Sequence, residues 1–552
     1  MDILKDVTIG QLLKDAVNKY GKKEAIVYSN ENIRYTYAEF YEETSKIAKG
    51  LMKLGIQKGE HIAIWATNVP EWLLLQYASA RIGAVLVTIN TSYQSSELEY
   101  LLKQSDTTTL FSISGFKGTS YIDIINTICH HKLIDSMPGK LHLDHLPYLK
   151  NVIYIGENPS PDGMMNWKDL VTLGDDVSDT VLLHREQSLD PTDVINMQYT
   201  SGTTGFPKGV MLTHHNIVNN GHLVARSMKL SAEDRLCIPV PFFHCFGCVL
   251  GSLACVSVGA TMVPIIEFNP ELVLETIEKE RCTGLHGVPT MFIAELNHEK
   301  FSNYNLSTLR TGIMAGSNCP IEVMKKLINE MGMTDITIAY GQTESSPVIT
   351  QTTTTDSLER RVNSVGKAHP HVEVKIVDPV TGSEVPRGHQ GELCTRGYLV
   401  MKGYYKMPDA TYEAIDTKGW LHTGDLATMD EDGYVRITGR LKDMIIRGGE
   451  NVYPREIEEF LYQHDSVLDV QVVGVPDEKY GEKVAACIKV KEGHSITSED
   501  IRSFCTGKLA YYKIPEYFIF VDDYPMTASG KIQKFKLREQ ASEWISQTAK
   551  TV

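Results

Sequence analysis

The sequence predicts an α/β fold in which helices cover mostly parallel sheets, followed by a β-rich region and a smaller α+β region. Short apolar strands alternate with helices in the first third, as in His61–Trp65, Pro70–Ile82 and Ala84–Ile89. Strands that are apolar on both faces are typical of parallel sheets covered by helices. From about Val362 the pattern changes to short strands separated by turns. The 552 residues exceed the roughly 250–300 that one core can hold, so at least two domains are expected.

The first helices have recognisable start signals. Thr36 and Glu39 form a capping-box pattern, which predicts a helix that begins there and extends toward Leu54. The strand and helix alternation recurs around VPTMFIAEL and ITIAYG. The large N-terminal domain is therefore predicted to contain several strand–helix units.

One apolar stretch has the length of a membrane span. Ile238–Ile266 contains no Asp, Glu, Lys or Arg and is long enough to cross a bilayer. Prolines at 239, 241 and 264 and several glycines interrupt it, which favours a buried helix followed by a buried strand, TMVPII. The N-terminal residues MDILKDVTIGQLL lack the basic and apolar segments of a signal peptide. We therefore expect a cytoplasmic protein without an integral membrane span.

The β-rich region contains a hairpin signal. Two strands flank the turn residues Asp430–Gly433, with Asp425 just before the first strand and Arg440 just after the second. Antiparallel pairing would bring these two residues to the same end of the hairpin. There they could share one ligand, or they could simply pair with each other on the surface.

The last 110 residues or so alternate again. A helix is predicted to begin at Pro454, followed by VLDVQVVGV, VAACIKV, a helix near Ser498–Leu509 and YFIFVDDY. This pattern indicates a small α+β domain, and the boundary is predicted near Lys442. The predicted domains are residues 1–440 and 441–552.

Charge and cysteine content exclude some functions. The net charge of −15 argues against a nucleic-acid partner, because such binders gain affinity from cationic contacts to phosphates. Ten cysteines with a single CxxC, at Cys245 and Cys248, do not indicate a disulfide scaffold or a structural zinc site. A looser grouping could bind metal, although a polar surface insertion is favoured; it comprises Cys129, His130, His131, His142, Asp144 and His145.

The stretch YTSGTTGFPKGV, residues 199–210, has the composition of a phosphate-binding loop. It is not a Walker loop, because Pro207 occupies the place of the second glycine and Gly209 follows Lys208 where a hydroxyl is needed. Backbone N–H groups, the hydroxyls of Ser201, Thr203 and Thr204, and the Lys208 ammonium could together hold a pyrophosphate. Apolar VINMQY and VMLTHHNIV on either side indicate that the loop lies between core elements.

Six motifs in order give the chain a resemblance to a known family. They are YTSGTTGFPKGV, PFFHCFG (241–247), AYGQTESSP (339–347), GWLHTGDL (419–426), GRLKDMIIRGGENVYPREIE (439–458) and SGKIQKFK (529–536). The chain resembles the adenylate-forming enzymes, which include acyl-CoA synthetases, luciferases and peptide-synthetase adenylation domains. MAGSNCP (314–320) and SGKIQKFKLREQ make it most similar to the medium-chain acyl-CoA synthetases of the acyl-CoA synthetase family member 2 group.

The resemblance implies a reaction in two steps. A carboxylic acid reacts with ATP in the presence of Mg²⁺ to give an acyl-adenylate and pyrophosphate, and coenzyme A then displaces AMP to give a thioester. It also implies that the small C-terminal domain is mobile and rotates between the steps about a hinge at Lys442. The Gly448–Gly449 pair would line the pantetheine tunnel, although an ordinary turn is the alternative.

The resemblance also implies a role for individual residues. The loop residues that would hold the phosphates are Thr200, Ser201, Gly202, Thr203, Thr204, Gly205 and Lys208. Gly316, Ser317 and Tyr340 would contact adenine, and Asp425 with Arg440 would hold the ribose. Thr343 would contact the α-phosphate and Glu344 would bind Mg²⁺. His244 would lie near the acyl pocket and the α-phosphate, and Lys531 would bridge the carboxylate and the α-phosphate.

Each of the main residues has a plain alternative. Lys531 could be a solvated lysine in a basic run, Glu344 a helix-starting acid and His244 a core histidine. For the whole chain, Phe243-His244 lacks the acid expected of a peptide-synthetase adenylation domain. Luciferase chemistry and an inactive nucleotide-binding scaffold stay as further alternatives.

The substrate is expected to be a monocarboxylic acid with an uncharged acyl chain. Candidate pocket residues lie in 243–251, 286–291 and 314–318, and at Gln342; they are apolar with several glycines and no buried cation. Small glycines would leave room for a medium alkyl chain or for an alicyclic or aromatic ring. The oligomeric state is not predicted.

Overall fold

The computed structural model describes residues 4–130, 133, 139–200, 207–317, 319–447, 450–477, 479–506, 508–527 and 530–549. Within these ranges no helix combines the length and apolar character required to cross a bilayer.

The N-terminal part alternates helices and strands. Its elements are α1 (Ile9–Tyr20), β1 (Glu24–Tyr28), β2 (Ile33–Thr36), α2 (Tyr37–Leu54), β3 (His61–Trp65), α3 (Pro70–Ile82), β4 (Val85–Thr88), α4 (Ser95–Gln104), β5 (Thr109–Ser112), β6 (Gly115–Phe116), β7 (Thr119–Ser120), α5 (Tyr121–Ile128), β8 (Asn151–Tyr154), β9 (Met165–Asn166), α6 (Trp167–Leu173), α7 (Asp179–Gln187), β10 (Val194–Thr200), β11 (Lys208–Thr213), α8 (His214–Ser227), β12 (Arg235–Ile238), α9 (Ala254–Val258), β13 (Thr261–Pro264), α10 (Pro270–Glu280), β14 (Gly284–Gly287), α11 (Pro289–Leu296), β15 (Thr311–Met314), α12 (Ile321–Glu330), β16 (Asp335–Gly341), β17 (Val348–Gln351), α13 (Leu358–Asn363) and β18 (Lys367–Ala368). A π-helical segment covers Phe246–Leu253, and short 3₁₀ segments cover Gly174–Asp176, Phe301–Asn303 and Thr343–Ser345.

The remaining elements are richer in strands. They are β19 (Val372–Val377), β20 (Gly391–Gly397), β21 (Gly403–Tyr404), α14 (Pro408–Ala414), β22 (Leu421–Met429), β23 (Val435–Arg440), β24 (Ile445–Arg447), β25 (Glu450–Val452), α15 (Pro454–Leu461), β26 (Val467–Asp477), β27 (Gly481–Val490), α16 (Ser498–Cys505), β28 (Tyr517–Phe520) and α17 (Lys534–Ala549).

Two large sheets form the N-terminal part. One has the order β21-β11-β10-β4-β3-β5-β8-β9 and the other β18-β17-β16-β15-β14-β12-β13-β1-β2. Neighbouring strands are parallel from β10 to β9 and from β16 to β1, with antiparallel strands added at the edges. Helices α1, α2, α3 and α8 share a continuous apolar core with the buried faces of these strands. The predicted α/β class with mostly parallel, helix-covered sheets is confirmed.

The strand and helix bounds in the first third follow the sequence closely. Thr36 caps α2 through the predicted capping box with Glu39, and α2 ends at Leu54. β3 and α3 occupy the predicted residues, whereas β4 is shorter than predicted and covers Val85–Thr88. Capping residues and apolar runs close in the sequence therefore determine where these helices and strands lie.

The charge-free stretch is buried within the core, as predicted. Its helical part begins in a π-helical turn, Phe246–Leu253, and continues into α9. The following strand, β13, ends at Pro264, two residues before the predicted end. Both CxxC thiols, Cys245 and Cys248, are buried and free.

The predicted hairpin is β22–β23 in a four-stranded antiparallel sheet. Asp425 and Arg440 are register partners, so they lie at the same end as predicted. Both residues lie inside their strands rather than just outside them, because β22 begins earlier, at Leu421, and β23 extends to Arg440.

The C-terminal part forms its own small α+β layer. β26 and β27 make a long antiparallel pair, β28 adds in parallel to β27, and α15 packs on this sheet through its own apolar core. α16 ends at Cys505, four residues earlier than predicted.

The candidate metal grouping near residue 130 does not assemble within the described ranges. His145 Nε2 is 2.9 Å from the Ile128 carbonyl oxygen, and His142 lies 3.7 Å from Asp144 at the surface. No three of the described members bring ligand atoms together. His131 lies outside the described residues.

Candidate functional site

The phosphate-loop motif connects two central strands. β10 and β11 pair antiparallel, and Thr200 is the register partner of Lys208. The predicted loop residues Ser201, Gly202, Thr203, Thr204 and Gly205 lie outside the described residues. The strands on either side of the motif pair with each other inside the eight-stranded sheet, so the flanking segments are core elements, as the sequence indicated.

Lys208 and Glu344 meet through one tyrosine. The Lys208 ammonium lies 4.5 Å from the centre of the Tyr404 ring, within cation–π range. The hydroxyl of Tyr404 donates to Glu344 Oε1 at 2.9 Å. Tyr404 was not identified from the sequence, because its position depends on β21 pairing with β11 across almost 200 residues of chain.

The TES segment is held in place by its own turn. Gln342 and Ser345 form a capping box around the short 3₁₀ turn, and Ser346 has a left-handed backbone. The N–H of Met401 donates to the Glu344 carbonyl oxygen at 2.9 Å. Thr343 is buried, and Glu344 is half-buried. The hydrogen bond from Tyr404 uses Oε1 of Glu344 and does not involve Oε2.

Tyr340, Asp425 and Arg440 form the second part of the site. The Tyr340 hydroxyl donates to Asp425 Oδ2 at 2.7 Å, and Arg440 Nε donates to Asp425 Oδ1 at 3.1 Å. Burial raises the pKa of Asp425, and the charge of Arg440 opposes that rise. The alternative from the sequence, that Asp425 and Arg440 pair, is therefore observed; Asp425 is buried beside Tyr340, whereas the Arg440 side chain is exposed.

A second carboxylate positions the strand that carries Asp425. Glu392 Oε1 accepts from the Gly424 N–H at 3.0 Å, and its Oε2 is 2.9 Å from His422 Nδ1. Cys394 Sγ completes a group whose ligand atoms lie within 4.8 Å of one another. The sequence did not identify this group, although His422 stands in the GWLHTGDL motif.

Lys531 reaches from the C-terminal part into the N-terminal part. Its Nζ lies 3.3 Å from His244 Nε2. Burial and, to a smaller extent, the charge of Arg440 lower the pKa of Lys531 to about 8, while Cys245 and Glu344 act in the opposite direction. Burial also holds the pKa of His244 well below its ordinary value, with the Lys531 charge adding to the effect.

The backbone around Lys531 is docked on the N-terminal part as well. The Thr290 hydroxyl donates to the Gly530 carbonyl oxygen at 3.0 Å. A Cβ at Gly316 would lie 3.3 Å from Lys531 Cε and 3.0 Å from a Val288 methyl carbon, and Gly316 has a positive φ of 92°. Glycine is therefore required where the lysine side chain passes. Ser317, next to Gly316, is exposed.

Of the remaining predicted residues, the structure describes Lys442. Lys442 is exposed in the turn between β23 and β24. Gly448 and Gly449 lie outside the described residues, as does Asn318 of the candidate acyl pocket.

Two glycines of the candidate acyl pocket do not provide the expected space. A Cβ at Gly247 would lie 2.4 Å from the Pro241 carbonyl oxygen, and one at Gly251 would lie 3.1 Å from Ile238 side-chain atoms. These glycines allow close packing of the π-helical segment, so their missing side chains leave no empty volume. His286 is fully buried, with its Nε2 3.0 Å from the Leu250 carbonyl oxygen.

Comparisons with known proteins identify the family of the chain. The AMP-binding enzyme family model matches residues 13–405, and the AMP-binding enzyme C-terminal domain model matches residues 456–531. YngI of Bacillus subtilis (strain 168), an acyl-CoA synthetase by name, is 63% identical over 539 residues, which cover 98% of each chain. The human mitochondrial medium-chain acyl-CoA ligase ACSF2 is 43% identical over 551 residues, 98% of this chain and 89% of that protein.

A solved structure shows the same fold with nucleotide. ATP-bound MatB from Rhodopseudomonas palustris matches with a TM-score of 0.82 and 28% identity, covering 98% of this chain and 99% of that chain. The family models and the relatives together span nearly the whole sequence. The chain belongs to the AMP-binding enzymes, an adenylate-forming superfamily, and within them to the acyl-CoA synthetases.

Proposed function

We propose that this protein ligates a carboxylic acid to coenzyme A at the expense of ATP, through an acyl-adenylate, with release of pyrophosphate and AMP. The contact between Lys531 and His244 is the observation that carries this proposal. The names of both curated relatives support the ligase activity, and the ATP-bound structural relative supports the nucleotide.

Both partners in that contact carry hydrogens. The Phe246 N–H donates to His244 Nδ1 at 3.2 Å, so the neutral imidazole carries its hydrogen on Nε2. Below its pKa of about 8, Lys531 is an ammonium without a lone pair, so it and His244 Nε2–H converge, 3.3 Å apart, as two donors. An anionic oxygen at this point would accept from both, as a substrate carboxylate or an α-phosphate oxygen would.

The other groups would arrange the nucleotide around this point. Tyr340 would stack on adenine beside Gly316 and Ser317, and Asp425 would accept the ribose hydroxyls in place of its present contact with Arg440. Thr343 would contact the α-phosphate. Lys208, Thr200 and the loop between them would hold the β- and γ-phosphates.

The donor set around Glu344 fits Mg²⁺. A carboxylate oxygen is a hard ligand of the kind that Mg²⁺ prefers, and Tyr404 occupies only Oε1. Glu344 would hold the ion through Oε2. Bound there, Mg²⁺ would neutralise charge on the transferring phosphates. Lys531 would supply a further positive charge to the α-phosphate.

The second half-reaction requires access to the carbonyl that Lys531 covers. We infer that residues 441–552 form a domain that rotates about Lys442, away from residues 1–440, and that Gly448 and Gly449 then border the pantetheine of coenzyme A. A turn at the end of β23 is suited to absorb such a change in φ and ψ. A cytoplasmic location stays a prediction.

The substrate is proposed to be a monocarboxylic acid whose acyl group is uncharged, either a medium-length alkyl chain or an alicyclic or aromatic ring. The aromatic and apolar side chains near His244 support this class, since Phe243 and Phe246 are buried there. The name of the human relative also supports a medium chain. Because Gly247 and Gly251 are closely packed, they give no evidence of extra space for the acyl group. The choice between an alkyl chain and a ring therefore depends on experiment.

A panel of acids tests the proposal. Acetate, hexanoate, octanoate, cyclohexanecarboxylate and benzoate, each with MgATP, should be compared for acid-dependent ATP–pyrophosphate exchange and for thioester formation with coenzyme A. Exchange and thioester with medium-chain or ring acids are expected. Nucleotide binding without exchange for any acid would indicate a binding scaffold, and exchange without thioester would indicate another acceptor.

A further inference from the structure

Helix α15 carries two charged side chains onto the N-terminal part. Arg455 Nη1 donates to the Ile437 carbonyl oxygen of β23 at 2.7 Å. One turn later, the Glu459 carboxylate faces the backbone N–H of Ile321, the first residue of α12. Burial raises the pKa of Glu459, and the charge of Arg455 and the Ile321 N–H oppose that rise. Pro320, which precedes α12, provides no side-chain cap of its own. The C-terminal part therefore adds a carboxyl group at the start of a helix in the N-terminal part, whose first turn already carries Glu322.

The two side chains form a pair that is mostly withdrawn from water. Arg455 Nη2 and Glu459 Oε1 are 3.8 Å apart, and the side chains are 21% and 16% exposed. In the part of the chain that the structure describes, Arg455 Nε and Glu459 Oε1 have no hydrogen-bond partner. The pair is therefore aligned with specific backbone groups across the junction but is not fully satisfied.

A partly satisfied, mostly buried ion pair can specify where the C-terminal part docks without making the docking strong. Removing two charges from water costs free energy that their mutual attraction only partly offsets when some of their hydrogen-bonding groups lack partners. Rotation of the C-terminal domain would return both groups to water. The pair can thus fix the position in which the C-terminal domain docks, while the domain can still undock at a low cost in free energy.

The elements that the pair touches also frame the proposed nucleotide site. α12 follows the Gly316–Ser317 segment, and β23 ends at Arg440. Docking at these two elements coincides with the placement of Lys531 beside His244. The docked position defined by the pair is therefore the one in which the lysine reaches the reaction centre.

We propose that Arg455 and Glu459 are positioning residues that dock the C-terminal domain for adenylation and release it for thioester formation. The inference rests on the proposed function, because it assigns the pair to one of two half-reactions. Neither residue contacts the reacting atoms in this arrangement; both would act through the placement of Lys531.

Glu459→Gln provides the main test, with Glu456→Gln as a matched control on the same helix. The carboxylate of Glu456 accepts from Lys513 Nζ at 2.7 and 2.8 Å within the C-terminal part, away from the junction. Octanoate-dependent ATP–pyrophosphate exchange and the reaction of supplied octanoyl-adenylate with coenzyme A should be measured separately. Glu459→Gln and Arg455→Ala should each lower exchange about tenfold and leave the second step within about twofold, because a mostly buried charge loses its partner. Glu456→Gln should change neither step.

The double variant Arg455→Leu, Glu459→Leu tests the pairing itself. With no unpaired charge left at the junction, exchange should recover to within about threefold of the unmodified protein. Equal loss of both steps in the single variants, unchanged exchange, or a double variant as impaired as the singles would overturn the inference. Absence of exchange in the unmodified protein and in Glu456→Gln would instead contradict the proposed function.

Discussion

Lys531 Nζ lies 3.3 Å from His244 Nε2, although 287 residues separate them in the sequence. His244 precedes the π-helical segment of the N-terminal part, whereas Lys531 follows the β28 strand of the C-terminal part. The contact joins the two parts at a point where two hydrogen-bond donors face each other. That arrangement explains why an anionic substrate oxygen would stabilise it.

Replacing Lys531 with alanine should separate the two half-reactions. Acid-dependent ATP–pyrophosphate exchange should fall on the order of 10²–10³-fold, because a positioned charge contact to the developing negative charge is lost. The reaction of supplied acyl-adenylate with coenzyme A should proceed at nearly the normal rate. Stopped-flow or quenched measurements of each step would check the separation.

Lys536→Ala is the control for that variant. Lys536 is exposed on α17, five residues from Lys531, and should tolerate the same change without loss of either step. If Lys531→Ala lowered both half-reactions equally, the assignment of the lysine to adenylation would be wrong.

The lowered pKa of Lys531 predicts a pH dependence. Its pKa of about 8 means that the amine loses its proton as the pH rises through 8, well before an ordinary lysine would. The apparent kcat/KM for exchange, which reports the free enzyme, should therefore fall above about pH 8 with the loss of one proton. His244 should add no limb near pH 6.5, because burial keeps its imidazole neutral there.

Two comparisons check the origin of that alkaline limb. The reaction of supplied acyl-adenylate with coenzyme A should lack it, since Lys531 is not needed in that step. Lys531→Arg should move the limb to higher pH even if its rate is lower, because a guanidinium keeps its proton throughout this range. An alkaline limb that persists unchanged in Lys531→Arg would assign it to another group.

Local sequence signals predicted much of the fold. The capping residues of α2, the apolar strands β3 and β4 and the turn of the β22–β23 hairpin are all set by neighbouring residues. The end of α16 and the π-helical turn at Phe246 were not predicted. A Cβ at Gly247 would lie 2.4 Å from the Pro241 carbonyl oxygen, so this turn packs closely on the segment that precedes it, which the residue pattern does not reveal.

The candidate site was predicted where residues lie within motifs. Asp425 and Arg440 could be placed together because one hairpin fixes their register. Tyr404 and Glu392 could not, since each becomes relevant only through pairing of strands that are distant in the sequence. The prediction that Gly247 and Gly251 leave room for the acyl chain was wrong. Only the packing of neighbouring segments shows whether a missing side chain leaves a void.

Asp425→Asn should weaken ATP binding with little effect on the fold. The substitution removes the charge that would accept the ribose hydroxyls, and charged hydrogen bonds contribute about 1.5–3 kcal/mol, which corresponds to roughly 10–100-fold in affinity. Because burial already raises the pKa of Asp425, loss of the charge should not lower the melting temperature. Calorimetric titration with ATP and a thermal melt would measure both effects.

Asp432→Asn serves as the control for Asp425→Asn. Asp432 lies at the opposite end of the same hairpin, where it accepts from Arg360 Nη2 at 2.6 Å. ATP affinity should be unchanged in this variant. Equal ATP affinity in Asp425→Asn and Asp432→Asn would exclude Asp425 from the nucleotide site.

Tyr404→Phe should raise the Mg²⁺ concentration needed for ATP binding. The variant keeps the ring beneath the Lys208 ammonium but removes the hydroxyl that fixes Glu344 Oε1, so the carboxylate can rotate away from the orientation that leaves Oε2 for the ion. Loss of one hydrogen bond to a charged group predicts a shift of about tenfold in the half-saturating Mg²⁺ concentration, with recovery at high Mg²⁺. Calorimetric ATP titrations at several Mg²⁺ concentrations measure this shift without turnover.

Tyr405→Phe is the control for Tyr404→Phe. This variant loses an equivalent 2.9 Å hydrogen bond, to Asp106 outside the site, and should bind ATP with normal Mg²⁺ dependence. An equal shift in both variants would contradict the role of Tyr404.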